Sequence, residues 1–300
     1  MARLAAVVLN FRTASDTIAC VRSLEASARP IDRLIVVDNG SGDGSEERLR
    51  AELPRAEVLQ TGANLGFSGG CNLGVRRALD GGASLVVLVN SDILLPPDCL
   101  GALEAALDAH PRAGIAGPAI VGRDDPRRIE TRGISFSGWS GRVWNHEFGR
   151  RNDAARGGVR VVDGVSGALM LIRREVLERV GELENEYFFS FEDLDFCLRA
   201  RAAGFETICV DGAIAHHEGG RSIGARSARR IYFATRNHLL LARRAAPALP
   251  PPLGLVRQGW VAALNLAYVL TRSPTPVGEG LVAFGQGLWH HLRRRYGDGP

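Results

Sequence analysis

Residues 33–45 read RLIVVDNGSGDGS, in which an apolar, β-branched run ends in Asp38 and Asn39 and breaks into a glycine-rich turn. A continuous apolar run of this length is typical of a strand buried on both faces of a parallel sheet. The same alternation continues around it, with strands predicted at 4–9, 56–60 and 85–90 and helices near 15–27, 44–52, 70–80 and from Pro97. The first half is therefore predicted to be α/β, with a Rossmann-like, mainly parallel sheet flanked by helices.

Polar residues stand where the predicted strands end: Asn10, then Asp38, then Asn64 just beyond the third strand, then Asn90, Ser91 and Asp92. Any one of them is explained equally well as a turn or cap residue. Because ligands of such sheets bind at the carboxyl ends of the strands, the four ends together predict one polar crevice.

Charge is divided unevenly along the 300 residues. Residues 221–300 contain twelve arginines and two acids, a charge of +10, which leaves −6 for residues 1–220. We therefore predict a catalytic part at 1–245 and a helical, basic, amphipathic extension at 246–300. The partner expected for the extension is an anionic membrane and not nucleic acid, because base-stacking motifs are missing; a solvated helical face is the alternative. The longest apolar stretch there, 259–270, is too short to span a bilayer but long enough to lie on one.

The five cysteines are odd in number, widely spread and form no CxxC pair, so they predict neither a disulfide framework nor a zinc site. The N-terminus runs directly into a strand and has no signal-peptide cleavage motif. These features predict a cytoplasmic protein, peripheral on the inner face of the cell membrane.

The stretch at 188–205, FFSFEDLDFCLRARAAGF, places Glu192, Asp193 and Asp195 beside several phenylalanines. Acids next to a core are candidates for a general base or a metal contact. A structural interpretation is also open, since Ser190 and Asp193 have the spacing of a capping box and Asp195 with Arg199 forms an i,i+4 pair.

Six segments occur in an order that resembles a known family: VVDNGSGDGS (36–45), NLGFSGGCNLG (64–74), LVNSD (88–92), SGALMLIRREV (166–176), FEDLDFCLR (191–199) and HHEGG (216–220). The family is that of the inverting nucleotide-sugar glycosyltransferases with a GT-A fold, called family 2. Within it the chain is most similar to bacterial rhamnosyltransferase-type members. The resemblance covers roughly residues 3–240, and its specificity lies in the ordered set, since each motif alone is weak.

The resemblance implies a divalent cation, Mn²⁺ or Mg²⁺, held by Asp92 and His216. Asp92 matches the second acid of a DxD-like motif, and Asn90 stands where the first acid is expected, a departure that bears on metal dependence. A cation held by one or two carboxylates neutralises the diphosphate of the donor as the sugar leaves. His217 is interpreted as a surface histidine.

The donor-binding residues implied by the resemblance surround the strand ends. Asp38 matches the residue that recognises a uracil or thymine base, and Asn10 and Arg12 lie where the nucleoside would pass. The other positions expected at the donor are Asn64, Gly66, Gly69, Asn90 and Ser91.

The catalytic residues implied by the resemblance lie in the acid-rich stretch. Asp193 matches the general base that deprotonates the acceptor hydroxyl, and Glu192 is expected to contact the acceptor. Arg236 and Asn237 match a later motif, with a role in support or phosphate contact.

The expected function is transfer of a hexose, L-rhamnose above all, from a dTDP- or UDP-linked donor to a cell-envelope glycan or lipid-linked acceptor. A sugar nucleotidyltransferase is a first alternative, although no glycine-rich loop with a basic residue follows the first strand. A catalytically silent nucleotide-sugar-binding subunit is a second, motivated by Asn90, and the presence of Asp92, Asp193 and His216 weighs against it.

Overall fold

The computed structural model describes residues 2–152, 157–218, 227–245 and 249–299. The strands in these ranges are β1 (Leu4–Asn10), β2 (Arg33–Asp38), β3 (Glu57–Gln60), β4 (Leu85–Asn90), β5 (Ile93–Leu94), β6 (Ala113–Gly122), β7 (Ile129–Thr131), β8 (Ile134–Phe136), β9 (Val143–Asn145), β10 (Val159–Val162), β11 (Leu169–Arg173) and β12 (Glu206–His217). The helices are α1 (Ala14–Glu25), α2 (Ser45–Glu52), α3 (Gly66–Asp80), α4 (Cys99–Ala109), α5 (Arg174–Val180), α6 (Glu192–Ala202), α7 (Ala228–Arg244), α8 (Pro251–Thr271) and α9 (Val277–Leu292).

One large sheet organises the fold, with strand order β10-β12-β6-β11-β4-β1-β2-β3, while β5 pairs with β12 and β7 with β6. The β4-β1-β2-β3 half is parallel throughout, as is the β6-β12 pair. Strand β11 enters antiparallel between β4 and β6. The prediction of a mainly parallel sheet flanked by helices, with a helical C-terminal extension, is confirmed.

The central strands are buried on both faces, which explains their continuous apolar sequence. Along β1, Ala6 and Val8 pack into the core on one side of the sheet, and Ala5 and Val7 pack into the core on the other. Each fully buried valine of this kind stabilises the fold by roughly 1.5–3 kcal/mol.

We name residues 122–160 the excursion, a segment whose sequence shows no helical or strand period. It contains the short strands β7, β8 and β9. Three-residue strands are too short to display an alternation in sequence. The excursion is tied to the main sheet by buried charge, since the Arg132 guanidinium lies 3.1 Å from the Asp211 carboxylate of β12, and that of Arg160 lies 2.7 Å from it.

The C-terminal helices α8 and α9 pack on α7 and on each other. Helix α8 has 21 residues, so it extends eight residues before the 259–270 stretch considered from sequence, and by length and composition it is long enough to cross a membrane. The helix is longer than the apolar stretch read from the sequence because Arg257, which bounded that stretch, lies inside the helix and is buried. One side of α8 is nevertheless covered by protein, since Arg257, Val261 and Val269 are buried.

All five cysteines are free and buried, at positions 20, 71, 99, 197 and 209. Burial raises the pKa of the Cys99, Cys197 and Cys209 thiols to about 12 and raises those of Cys20 and Cys71 further. The sequence-based expectation of no disulfide framework agrees with this state.

Candidate functional site

The carboxyl ends of the central strands open into a cleft. Parallel pairing places Asn10 beside Asp38 and Leu9 beside Asn90, so the ends of β1, β2 and β4 lie in one row. The cleft has a polar set of lining residues, Asn39, Asn64, Asn90, Ser91, Asp92 and Arg229, and an apolar set, Leu9, Phe11, Phe67, Phe188 and Phe189. We name residues 10, 38 and 90–92 the strand-end rim.

Asp38 is fully buried at the base of the strand-end rim. Its carboxylate accepts hydrogen bonds from Asn10 Nδ2 at 2.6 Å, from Gln60 Nε2 at 2.8 Å, and from the backbone N–H and hydroxyl of Ser41. The Asn10 amide is saturated as well, because its Oδ1 accepts from Thr17 at 2.7 Å. The structure therefore places neither side chain on the cleft surface, although both were expected to contact the donor.

Arg12 is exposed beside this network, with φ of 57°, and its Nε donates to the Ser41 carbonyl at 3.0 Å. It does not line the cleft.

The NLGFSGG segment contributes the start of α3 to the cleft. Asn64 Oδ1 accepts from the Gly66 N–H at 2.9 Å and from Asn39 Nδ2 at 3.1 Å. Gly66 has φ of +74°, and a Cβ there would lie 2.5 Å from the Phe188 carbonyl oxygen, so no larger residue fits. Gly69 lies one turn further along α3 and is buried against Leu65; it does not line the cleft.

Asn90, Ser91 and Asp92 line the cleft together. Ser91 and Thr13 share a hydrogen bond of 3.0 Å between their hydroxyls. Within the part of the chain that the structure describes, the buried Asn90 Oδ1 atom has no hydrogen-bond partner. An orphaned buried amide oxygen at the cleft is a position where a bound hydroxyl or a hydrated cation would supply the missing donor.

His217, and not His216, faces Asp92. Its Nε2 lies 3.4 Å from Asp92 Oδ1, and its Nδ1 lies 2.6 Å from Glu130 Oε2 of β7. Neighbouring residues of a strand point to opposite faces, which explains why the adjacent His216 is directed elsewhere. Burial lowers the pKa of His217, but hydrogen bonds and charge from Asp92 and Glu130 outweigh it and raise that pKa to about 9.

The Asp92–His217 pair fits an open cation site. Two donors about 2.1 Å from one ion stand roughly 3.0–3.5 Å apart, and the observed 3.4 Å lies in that interval. Glu130 on the other ring nitrogen matches the carboxylate that commonly orients a metal-binding histidine. Among the described residues no group of three or more His, Cys, Asp or Glu side chains is placed to hold a metal ion. A cation at this pair would therefore take most of its ligands from outside the protein.

Asp193 lies at the start of α6 and is not one of the residues that line the cleft. Its Oδ2 accepts from the Gly167 N–H at 2.8 Å and its Oδ1 from the Leu194 N–H at 2.7 Å. A methyl group built on Gly167 would touch both the Asp193 side chain and the ring of Phe67, so the carboxylate stands close to the aromatic wall of the cleft. Burial raises the pKa of this carboxyl, and the two hydrogen bonds partly oppose the rise.

Glu192 is only 5% exposed, and within the described structure its Oε2 has no hydrogen-bond partner. Burial, and after it the charge of Asp193, raises its pKa well above the usual range. The structure therefore does not bring Glu192 to the cleft surface, where it was expected to contact an acceptor.

The backbone that leads into α6 is strained. Phe188, Ser190 and Phe191 have φ of 62°, 72° and 75°, a conformation that costs about 1–3 kcal/mol for each non-glycine residue. Phe191 is the N-cap and no side chain caps the helix, so the predicted Ser190–Asp193 capping box is wrong. The predicted Asp195–Arg199 pair is confirmed at 2.8 Å. We name residues 186–193 the acid loop.

Two residues of α7 hold the acid loop in place. Asn237 Nδ2 donates to the carbonyls of Tyr187 at 2.8 Å, Phe189 at 2.7 Å and Ser190 at 3.0 Å. Arg236, fully buried against the Tyr232 and Phe233 rings, donates to the carbonyls of Glu186 and Tyr187. These bonds explain how the strained backbone persists.

The model of the family described as "Glycosyltransferase like family 2" matches residues 2–233. The chain belongs to this family. It is therefore a glycosyltransferase, which confirms the expected function over a sugar nucleotidyltransferase.

Curated relatives of this family 2 glycosyltransferase include two bacterial rhamnosyltransferases. An N-acetylglucosaminyl-diphospho-decaprenol L-rhamnosyltransferase of Mycobacterium tuberculosis is 29% identical over 218 residues, which cover 66% of this chain and 70% of the relative. The dTDP-rhamnosyl transferase RfbF of Shigella flexneri is 26% identical over 219 residues, covering 70% and 71%.

Solved structures show the same fold at lower identity. The mannosyltransferase PcManGT of Pyrobaculum calidifontis, in complex with GDP-Man and Mn²⁺, has a TM-score of 0.60 at 19% identity and covers 98% of this chain and 82% of that one. GalNAc-T7 with UDP, GalNAc and Mn²⁺ has a TM-score of 0.56 at 13% identity, covering 92% and 59%.

Two contributors to the glycosyltransferase site, Glu130 and Arg229, were missed by sequence reasoning. Glu130 lies in the excursion, far from any motif, and only the strand pairing of β6 and β7 brings it to His217. Arg229 is the one cation among the described cleft-lining residues. Asn237 carried a sequence signal, but its three carbonyl partners are defined only by the turn of the acid loop.

Proposed function

We propose that this glycosyltransferase transfers L-rhamnose or a related hexose from a dTDP- or UDP-linked donor to a cell-envelope glycan or a lipid-linked acceptor. The observation that carries the proposal is the cleft lined by Asn90, Ser91 and Asp92, with the half-buried Asp193 carboxylate close to Phe67 of its lining. The names of the two rhamnosyltransferase relatives support the choice of sugar and of acceptor class.

Asp193 is the proposed general base. Inversion requires the acceptor oxygen to attack opposite the departing diphosphate while it loses its proton. Asp193 takes that proton on a carboxylate oxygen, and the Gly167 N–H fixes the direction of the carboxylate. Its raised pKa makes it a stronger base than an exposed aspartate. Glu192 is buried, and its Oε2 has no partner in the described structure; in this scheme it supports the fold and does not contact the acceptor.

Asp92 and His217 are the proposed metal-binding residues, so the role expected for His216 passes to its neighbour. A divalent cation bound there would neutralise charge that builds on the leaving diphosphate. Asp92 contributes the carboxylate, and Glu130 keeps the imidazole directed toward it. Mn²⁺ suits a mixed oxygen and nitrogen donor set.

The remaining donor contacts are proposed from the cleft walls. Asn90, Ser91, Asn64 and the Gly66 backbone contact the nucleoside and sugar, and the guanidinium of Arg229 faces the diphosphate. Four residues expected at the donor support the cleft instead, namely Asp38, Asn10, Arg12 and Gly69. The hydrogen bond between Asn10 and Asp38 joins the ends of β1 and β2, and Gly69 allows close packing of α3.

The proposed location is the cytoplasm, at the inner face of the cell membrane. Residues 246–300 form the membrane-binding extension of a catalytic part at 1–245, and no nucleic acid is involved. The acceptor class fits this location, because a lipid-linked acceptor lies at the membrane surface.

A donor panel tests the proposal. Purified full-length protein is mixed with Mn²⁺ or Mg²⁺ and with dTDP- and UDP-linked hexoses, and both thermal stabilisation and slow donor hydrolysis are measured. We expect dTDP-rhamnose to stabilise the protein and to be hydrolysed, with both effects weakened by a chelator. Binding and hydrolysis of none of the panel would overturn the proposal.

A further inference from the structure

Helices α8 and α9 carry large apolar side chains on their outer sides. On α8, Leu253, Val256, Trp260, Ala263, Ala267 and Leu270 recur at alternating spacings of three and four residues and are all exposed. This spacing aligns them on one stripe of the helix. Arg257 is the only charged residue between Pro251 and Thr271, and it is buried. The outer stripe of α8 is therefore apolar along its whole length, about 31 Å at 1.5 Å per residue.

Helix α9 continues the same surface. Val282, Gly285, Trp289 and Leu292 form a matching exposed stripe. The two helices meet where a Cβ on Gly280 would lie 2.8 Å from Val269. Exposed Tyr268 and Leu270 flank one side of this crossing, and exposed Leu281 flanks the other.

The tip of the β8–β9 hairpin extends the surface at the start of α8. Arg257 Nη1 donates to the Gly138 carbonyl at 3.0 Å, and a Cβ on Gly141 would lie 2.6 Å from Val261. Trp139, between these two contacts, is 74% exposed. We name the exposed apolar residues of α8, α9 and this tip the apolar face.

Charge at the edge of the apolar face identifies its partner. Exposed Arg272 follows α8, and exposed Arg293, Arg294 and Arg295 follow α9. Tryptophan and tyrosine are the residues enriched at the boundary of lipid and water, and the face has Trp260, Tyr268 and Trp289. A second copy of the same surface would bring like-charged arginines together, whereas an anionic lipid surface attracts them.

We infer that the apolar face inserts into the acyl boundary of an anionic membrane leaflet, with α8 lying in the plane of the membrane. Protein covers one side of α8 along Arg257, Val261 and Val269, so the helix binds as an interfacial element. The inference rests on the proposed peripheral location and adds that apolar insertion, more than charge, holds the protein there. Because α7 packs on both helices and begins beside Arg229 of the cleft, the face and the cleft belong to one packed unit.

Flotation with vesicles tests the inference on the full chain. Val256→Asp places a charge in the apolar face, and Val161→Asp is the matched control, since Val256 and Val161 are 69% and 63% exposed and Val161 lies on β10. With vesicles of phosphatidylcholine and phosphatidylglycerol, we expect wild type and Val161→Asp to float, largely also at high salt. We expect Val256→Asp to bind about tenfold more weakly or worse.

Three results would overturn the inference: equal flotation of Val256→Asp and wild type, complete loss of wild-type binding at high salt, or a dimer in sedimentation that Val256→Asp dissolves. The last result would assign the face to a second copy of the chain. Donor hydrolysis without vesicles is measured on every variant. It is expected to be unchanged, so that failure of the membrane inference is distinguished from failure of the proposed transferase function.

Discussion

The strand-end rim and the acid loop face the same cleft but are built in opposite ways. At the strand-end rim the buried Asp38 carboxylate has four hydrogen-bond donors, and Asn10, Asp38 and Asn90 end regular strands, although the Asn90 Oδ1 atom has no partner in the described structure. In the acid loop three non-glycine residues have positive φ, and the buried Glu192 carboxyl lacks a partner for one oxygen in the described structure.

The difference separates binding from chemistry. The saturated network of Asp38 and Asn10 is rigid, so it suits the support of a binding surface for a nucleotide sugar whose shape does not change. A desolvated carboxylate with a raised pKa suits proton transfer, and its cost is offset elsewhere, here by the carbonyl contacts of Arg236 and Asn237.

The largest expected effect comes from Asp193→Asn, which removes the base and one of its two backbone hydrogen bonds at nearly constant side-chain size. We expect kcat to fall by about 10²–10⁴-fold, with donor affinity unchanged. In the wild type, kcat should fall as pH falls through the raised pKa of Asp193, because the protonated carboxyl accepts no proton. Steady-state transfer assays across pH measure both. Full activity of Asp193→Asn, together with a large loss in Glu192→Gln, would reassign the base.

Glu130→Gln tests whether the strand-end rim depends on a residue outside the strand ends. The amide holds the His217 imidazole less strongly, so we expect Mn²⁺ to bind about 10–100-fold more weakly. Calorimetric titration of Mn²⁺ in the presence of nucleoside diphosphate measures this without turnover. Glu47→Gln, an exposed change on α2, is the control. Unchanged Mn²⁺ affinity in Glu130→Gln would remove Glu130 from the site.

Asn237→Ala breaks the support of the acid loop. Three backbone carbonyls lose the hydrogen-bond donor that they share, so we expect the unfolding free energy to fall by about 1–3 kcal/mol. We also expect kcat to fall, while the affinity for the nucleotide sugar stays unchanged. Chemical denaturation and donor titration separate the two effects. Asn145→Ala, at an exposed position on β9, should change neither. A matching loss of donor affinity in Asn237→Ala would mean that the two sides of the cleft are not independent.

The smallest expected effect is a gain in stability in Glu192→Gln. An unfolded glutamate loses its proton at a pKa of about 4.3, whereas Glu192 in the folded protein keeps its proton to higher pH. The contribution of Glu192 to stability is therefore full at low pH and declines as the pH rises toward the raised pKa. Glu192→Gln is neutral at every pH and should be more stable by about 1 kcal/mol at neutral pH, with less gain in acid.

Thermal melts at two pH values measure this gain. The exposed Glu178→Gln is the control, and a loss of stability in Glu192→Gln would contradict a raised pKa of the buried Glu192 carboxyl.

Sequence reasoning succeeded where one residue pattern has one structural outcome. The continuous apolar runs predicted β1, β2 and β4. Because these strands are parallel, the sequence also predicted that Asn10, Asp38 and Asn90 lie at the same edge of the sheet. It failed where the outcome depends on contacts distant in sequence. Whether His216 or His217 faces Asp92 depends on strand register, and Glu130 reaches the site through pairing of short strands without a period.

The acid loop shows a second reason for failure. The sequence suggested a capping box, which requires a standard approach to the helix, but the positive φ at Ser190 and Phe191 turns the chain another way. The Arg236 and Asn237 contacts favour this path, and no local pattern encodes them.

The five buried thiols give the protein a practical property. None of Cys20, Cys71, Cys99, Cys197 and Cys209 is accessible, and burial raises the pKa of each, so maleimide and nitroxide reagents will find no target in the native state. A cysteine introduced at Trp139 or Val256 would then be the sole attachment point for a fluorophore or spin label. The wild-type background is ready for distance and depth measurements without prior removal of any native residue.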